Sequence, residues 1–165
     1  MLIEPVGAAT VEVAAGLLRR FFAEEGFTTP PDAQRRGLAE LLSDPAHCAA
    51  VLAVGEDGGA RVPVGVATAA WCVSVEYGRA AEIEDLYVVP AARGRGVATA
   101  LIDHLAGWAR ERGCSAVLVT VTPDGELSHG LTSFYARRGF TDECRKLLAL
   151  DLKAAPADPA QGGAT

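Results

Sequence analysis

The sequence predicts an α+β protein: a mixed, mostly antiparallel central sheet with flanking helices and one parallel strand pair. Three observations carry this. First, three apolar runs between Cys48 and Val89 are separated by Glu56–Asp57–Gly58–Gly59 and by Tyr77–Gly78–Arg79. Tight-turn residues at those intervals join neighbours into an antiparallel meander. Second, a helical stripe (Val97, Leu101, Ile102, Leu105, Trp108, Ala109) follows and leads into an apolar run, VLVTV. A strand buried on both faces reads this way, and the intervening helix makes it parallel to its neighbour. Third, two helix-period segments precede the meander, so it is not an alternating doubly wound chain.

In order, Met1 to Val6 is an edge strand bounded by Pro5. Thr10 is placed to cap a helix in which Val11, Ala14, Ala15, Leu17, Leu18, Phe21 and Phe22 recur at helical spacing, with Gly26 as its stop. Pro31 or Asp32 opens a second helix, which runs to Ser43–Asp44–Pro45. The meander strands are Cys48–Val54, Val62–Val75 and Ala81–Val89. The helix from about Gly96 to Arg112 ends at Gly113, and a strand from Ala116 to Thr122 is broken by Pro123–Asp124–Gly125. A short helix spans Leu131 to Arg138, and Lys146 to Leu152 alternates as a last strand. Residues 1–153 are expected to form a single domain. The tail from Ala154 has nothing to bury and is expected to be disordered.

A chain of 165 residues can bury a proper core. A net charge of −6 argues against nucleic acid as a partner, which calls for a basic footprint. No run approaches the roughly 20 apolar residues of a membrane helix, and MLIEPVGAAT lacks the basic and apolar regions of a signal peptide. A cytoplasmic protein is expected. Cys48, Cys72, Cys114 and Cys144 are widely spaced and read as reduced thiols, and the three histidines have no metal-ligand spacing, so no metal is expected.

The chemistry concentrates in IEDLYVVPAARGRGVATAL, residues 83–101. Arg93–Gly94–Arg95–Gly96–Val97–Ala98 stands where a strand gives way to a helix. The first amides of a helix have no internal partner, and the helix dipole adds partial positive charge there. Glycines let backbone approach a bulky anion, the arginines add charge, and Ala98 keeps the helix surface open. These features make a pyrophosphate site. A phosphate-binding P-loop would need GxxxxGK and Ser or Thr, which are absent. A dinucleotide fingerprint would need a third glycine where Thr99 stands.

Arg93-x-x-Gly96-x-Ala98, preceded by Leu86–Tyr87–Val88 and Pro90 and followed by Phe134–Tyr135 and Gly139–Phe140, resembles the Q/R-x-x-G-x-G/A signature of the GNAT superfamily of acyl-CoA-dependent N-acetyltransferases. The element order resembles that fold from Met1 to Leu152. The resemblance implies that acetyl-CoA is the co-substrate. Amides from Arg93, Gly94, Arg95, Gly96, Val97, Ala98 and Thr99 would hold its pyrophosphate. Tyr87 and Val88 would pair with its pantetheine where two parallel strands splay. It also implies a small-molecule amine acceptor and is compatible with a homodimer.

Attack on a thioester needs a neutral amine, so a carboxylate must take a proton directly or through water. Glu82, Glu84 and Asp85 stand just before the loop. Plain alternation puts Glu82 and Glu84 on one face and Asp85 on the other, unless a bulge shifts the register. By resemblance Glu82 matches the base of histone-type members and Asp85 an acidic position of aminoglycoside 3-N-acetyltransferase-like members. The base is one of these three, or a water. Tyr135 in SFYARRGF resembles the family's general acid, which protonates the departing thiolate. Ser128 stands where members often carry a pantetheine-contacting asparagine. Trp71, Glu76, Tyr77 and Glu24 are candidate acceptor contacts, together with the phenylalanines around the first helix. The acidic cluster and the similarity of IEDLYVV to aminoglycoside acetyltransferases point to a small polycationic amine such as an aminoglycoside, with a role in antibiotic resistance. Alternative acceptors are a protein N-terminus or lysine, a polyamine or an amino acid. A non-catalytic CoA-binding module is the other class.

Overall fold

A computed structural model describes residues 1–150 and residue 152. Five strands form one sheet in sequential order: β1 (Leu2–Pro5), β2 (Cys48–Asp57), β3 (Ala60–Ser74), β4 (Gly78–Val88) and β5 (Ala116–Val119). The first three pairings are antiparallel and β4–β5 is parallel. The parallel pair is bridged by α3 (Val97–Glu111), as a parallel connection requires. Helices α1 (Val11–Glu24) and α2 (Pro31–Ser43) fall between β1 and β2. The expected α+β sheet is observed.

The sheet separates two cores. Val51, Ala53, Ala67, Ala69 and Ile83 face Leu101, Ile102 and Leu105 of α3, together with Tyr135. Ala50, Leu52, Val66 and Tyr87 face Ala14, Leu17 and Leu18 of α1 and Leu38 of α2. Period-two strands feeding helical stripes on both faces produce this layering. The contact under α3 is close. A Cβ built on Gly65 would lie 2.9 Å from the Tyr87 carbonyl oxygen, 3.1 Å from Leu101 and 3.2 Å from Val97. A bare backbone at Gly65 lets the start of α3 settle onto β3 and β4.

Four expectations change. Thr10 does not cap α1 through its side chain; its hydroxyl accepts from the Gly7 amide at 2.9 Å instead, closing the turn before the helix. β5 stops at Val119 rather than Thr122. Pro123–Asp124–Gly125 ends the strand but opens a helix, α4 (Pro123–His129), with Pro123 in its first turn. The Thr122 hydroxyl accepts from the Gly125 amide at 3.0 Å, so Thr122 is the side-chain cap that Thr10 is not. Helix α5 (Leu131–Ala136) follows across Gly130, whose φ of 59° is left-handed. Finally, residues 146–150 form no strand. Leu147, Leu148 and Leu150 are exposed there, so the alternation never acquires a buried face. Asp151 of that expected strand and the expected disordered tail from Ala154 lie outside the described residues.

Candidate active site

The loop after β4 makes a short 3-10 turn (Pro90–Ala92) and then enters α3 through Gly96. Gly94 has φ 73° and Gly96 has φ 81°, both in the left-handed region. Nothing lies within 4 Å of a Cβ built on either, so backbone conformation rather than crowding selects glycine. The first amide of α3 bonded within the chain is Ala100, which donates to the Gly96 carbonyl at 3.0 Å. Among the described residues, the amides of Gly94 through Thr99 have no acceptor outside regular structure, and no side chain caps the helix. Such a run of free amides at a helix start forms an anion-binding concavity.

Beside it the sheet opens. β4 pairs with β5 only from Ala80↔Ala116 to Ile83↔Val119. Glu84 to Val88 continue without a neighbour on that side among the described residues. Backbone direction alternates along a strand, so the register decides which residues address the gap. The Val89 amide donates to Val64 of β3 at 2.9 Å, and the Tyr87 carbonyl points at Gly65 of β3. Val88 therefore faces the opening, and Leu86 shares its direction. The backbone of Tyr87 faces the other way. Of the two residues expected to pair with pantetheine, only Val88 is suitably turned. The orientation of Leu86 is not legible in the sequence, which does not show which strand edge stays free.

The carboxylates are re-sorted by a bulge. Thr68 pairs with Asp85 and Ala69 with Ile83, so Glu84 is an extra residue in β4. The bulge puts Asp85 on the same face as Glu82, the α1 face, and leaves Glu84 exposed at the kink. This is the exception that plain alternation leaves room for. The Thr68 hydroxyl, buried at 1% exposure, donates to Asp85 Oδ2 at 2.5 Å. Burial pushes the Asp85 carboxyl up and that hydrogen bond pulls it partly back. Burial and the neighbouring charges of Glu82 and Asp85 push Glu84 up. Glu82 accepts from Thr120 at 2.9 Å, across the point where the strands part. Tyr135 lies on the other side of the sheet, buried at 8% exposure among Phe134 and Phe140. Burial raises its hydroxyl to about 12, against a lowering by Arg138.

The arginines divide. Arg93 turns back from the loop: its Nε donates to the Val88 carbonyl at 2.9 Å, its guanidinium pairs with Glu24, and it lies 5.7 Å over the Tyr87 ring. Its charge is thus shared with α1, and Glu24 is tied to the loop rather than left free for an acceptor. His129 lies 3.9 Å from the same Glu24 carboxylate. Arg95 is exposed. Thr99 accepts through its hydroxyl from Arg138. Ser128 is exposed on α4 beside His129.

The remaining acceptor candidates are not brought to this opening. Trp71 donates to the Ala46 carbonyl at 2.9 Å, with His47 4.6 Å from its ring and Arg79 4.9 Å above it, locking the approach to β2. Glu76 pairs with Arg145 at 2.6 Å and Tyr77 donates to Glu143, fastening residues 143–145 to the β3–β4 turn at the opposite end of β4. On the α1 side of the sheet, Phe21, Phe22 and Phe27 form an edge-to-face triangle, with Phe21 6.0 Å from the Tyr87 ring of β4. Next to it Glu25 accepts from Thr122 at 3.2 Å.

A parallel pair that parts beside a row of unpaired amides, with a bulged acidic strand in front and a buried tyrosine behind, defines an acyl-coenzyme A-type transferase fold. The chain belongs to the acetyltransferase (GNAT) family, whose profile matches residues 18–140. It is 41% identical over 66 residues to glucosamine 6-phosphate N-acetyltransferase 1 of Oryza sativa subsp. japonica, a match covering 40% of this chain and 36% of that protein. The chain thus spans little more than a third of the length of that curated relative. It is 37% identical over 108 residues to aminoglycoside N(6')-acetyltransferase type 1 of Klebsiella aerogenes, covering 64% of this chain and 68% of that one. In fold it is similar to the aminoglycoside N-acetyltransferase AAC(6')-Iy in complex with CoA, with a TM-score of 0.73 and 23% identity, covering 92% of this chain and 94% of that one. Among the described residues, no helix is long and apolar enough to cross a membrane.

Proposed function

We propose that this chain transfers the acetyl group of acetyl-CoA to the primary amine of a small cationic molecule, an aminoglycoside being the leading candidate. The observation that carries the reading is the run of free amides from Gly94 to Thr99 beside the gap between β4 and β5. These amides would hold the pyrophosphate, and the backbone of Leu86 with the amide of Val88, whose carbonyl Arg93 already engages, would align the pantetheine. The co-substrate supplies the activated acyl group; the remaining roles belong to the chain. Asp85, raised by burial and oriented by Thr68, takes a proton from the incoming ammonium directly or through water. Glu82 and Glu84 add negative charge around the acceptor amine. A backbone amide of the opened β4 edge polarises the thioester carbonyl. Tyr135, still protonated far above neutral pH, gives its proton to the departing sulfur.

The acceptor class rests on charge. Glu82 and Asp85 share the α1 face of β4, Glu84 stands at the bulge between them, and Glu25 bonds to Thr122 just beyond β5, a concentration of carboxylates that attracts polycations. The rice relative supports a second reading, a phosphorylated amino sugar, but those carboxylates would repel its phosphate. Purified protein with acetyl-CoA and a thiol-detecting dye tests both. Release of CoA with aminoglycosides is expected. Release with glucosamine 6-phosphate alone selects the second reading. No release of CoA with any amine tested, while CoA still binds, selects a non-catalytic module.

A further inference from the structure

Arg138, just beyond α5, has no place in the chemistry described so far. Its Nη1 donates to the Phe134 carbonyl at 2.8 Å, its Nη2 donates to the Thr99 hydroxyl, and its guanidinium carbon lies 3.8 Å from the centre of the Phe134 ring. No carboxylate pairs with it among the described residues. Its Nε is buried without a hydrogen-bond partner. A charged donor in that condition is unfavourable, and proteins ordinarily satisfy it with an acid. Here the group it touches is instead Thr99, in the first turn of α3, whose own amide is among those without an acceptor. Two sets of unmet donors, one from the end of α5 and one from the start of α3, converge on a single residue.

The Nε–Nη2 edge of a guanidinium presents two parallel donors, the arrangement that grips a phosphate through two oxygens. Thr99 engages one of those donors and leaves the other unmatched. Arg93 cannot supply the same charge freely, because Glu24 already pairs with it. We propose that Arg138 is a ligand of the coenzyme's pyrophosphate, parked on Thr99 until the anion arrives. This rests on the acetyl-CoA reading above. On binding, the fork turns from the Thr99 hydroxyl to the phosphate oxygens, and the hydroxyl becomes free to donate to the same anion.

Calorimetric titration of the full chain with CoA and with pantetheine, which lacks the phosphates, tests this. Arg138→Leu should weaken CoA binding about 10- to 100-fold, the range of a charge-assisted contact, and leave pantetheine within about two-fold. Arg138→Lys keeps the charge but loses the fork, so its CoA affinity should fall between the two. Thr99→Val should weaken CoA by only about a few-fold. An Arg138→Leu protein that binds CoA as tightly as the original overturns the proposal. So does an equal loss of both ligands, which marks a purely structural role. If Arg138→Leu does not fold, wild-type affinity in Arg138→Lys overturns the fork. If the original chain binds no CoA, the coenzyme reading itself falls.

Discussion

In the proposed function, the burial of Tyr135 is what keeps its proton available. A phenol enclosed by Phe134 and Phe140 and raised to about 12 holds its proton through the neutral range. Tyr135→Phe keeps the ring packing and removes only the proton. It should lower kcat by about 10²- to 10⁴-fold while the CoA dissociation constant stays within two-fold of the original by calorimetry. Asp85 makes the complementary prediction. A base must be ionised, so activity falls as pH drops through its pKa. Burial raises that pKa, placing the acid limb above the ordinary carboxylate value of about 4. Thr68 donates to the ionised form, so Thr68→Val should move the limb to still higher pH in a kcat/KM profile. Stability runs with the opposite sign. A carboxyl raised by folding binds its proton more tightly in the native state, so its ionisation weakens the fold as pH rises through the native pKa. Asp85→Asn should therefore raise the thermal midpoint at pH 7.5, lose that advantage near pH 4, and cut activity by about 10²-fold or more. An Asp85→Asn enzyme of full activity, with Glu84→Gln dead instead, would move the base to the bulge.

Among the elements, α3 positions the anion site, and its seating depends on Gly65. A methyl group there would press on the Tyr87 carbonyl and on the side chains of Val97 and Leu101. Gly65→Ala should cost about 1–3 kcal/mol in urea unfolding. It should also weaken CoA binding, because the displaced turn carries the free amides. Unchanged CoA affinity at reduced stability would separate the seating of α3 from the site. This scale also shows how legible the sequence was. The meander, the crossover helix and the glycine-arginine turn follow from periodicity and turn chemistry, which act within a few residues. The bulge at Glu84 does not, because it depends on how Thr68 and Ala69 meet the neighbouring strand. Helix α4 had a local signal, Thr122 followed by Pro123, but Asp124–Gly125 reads more strongly as a turn. The strand expected at Lys146 to Leu152 fails for the reason that alternation is only half of a strand: it needs a partner edge and a face to bury. Trp71, Glu76 and Tyr77 were polar or aromatic groups near a turn, and the sequence cannot show that Ala46, Arg145 and Glu143 engage them.

For the molecule as a whole, the sheet is a partition. The face under α3 and α5 carries the free amides, Arg138 and Tyr135. The face under α1 carries Asp85, Glu82, Glu24, Glu25 and the phenylalanine triangle. The two adjoin where β4 and β5 part. Binding of the two substrates should therefore respond to salt in opposite settings: phosphates meeting amides and a guanidinium on one side, a cationic amine meeting carboxylates on the other. The Debye length falls from about 10 Å at 0.1 M to about 3 Å at 1 M salt, so charges held at a distance from the reacting atoms lose their influence. The KM of a polycationic acceptor should rise several-fold between about 0.05 and 0.5 M salt, while kcat changes little, because the reacting amine and Asp85 stay in contact. Glu25→Gln should flatten that salt dependence without altering the affinity for CoA. An acceptor with a single charged amine should show a shallower slope than one with several. If KM is indifferent to salt for every acceptor that turns over, the carboxylates serve the fold and the proton transfer alone, and acceptor choice falls to the apolar wall of Phe21, Phe22 and Phe27.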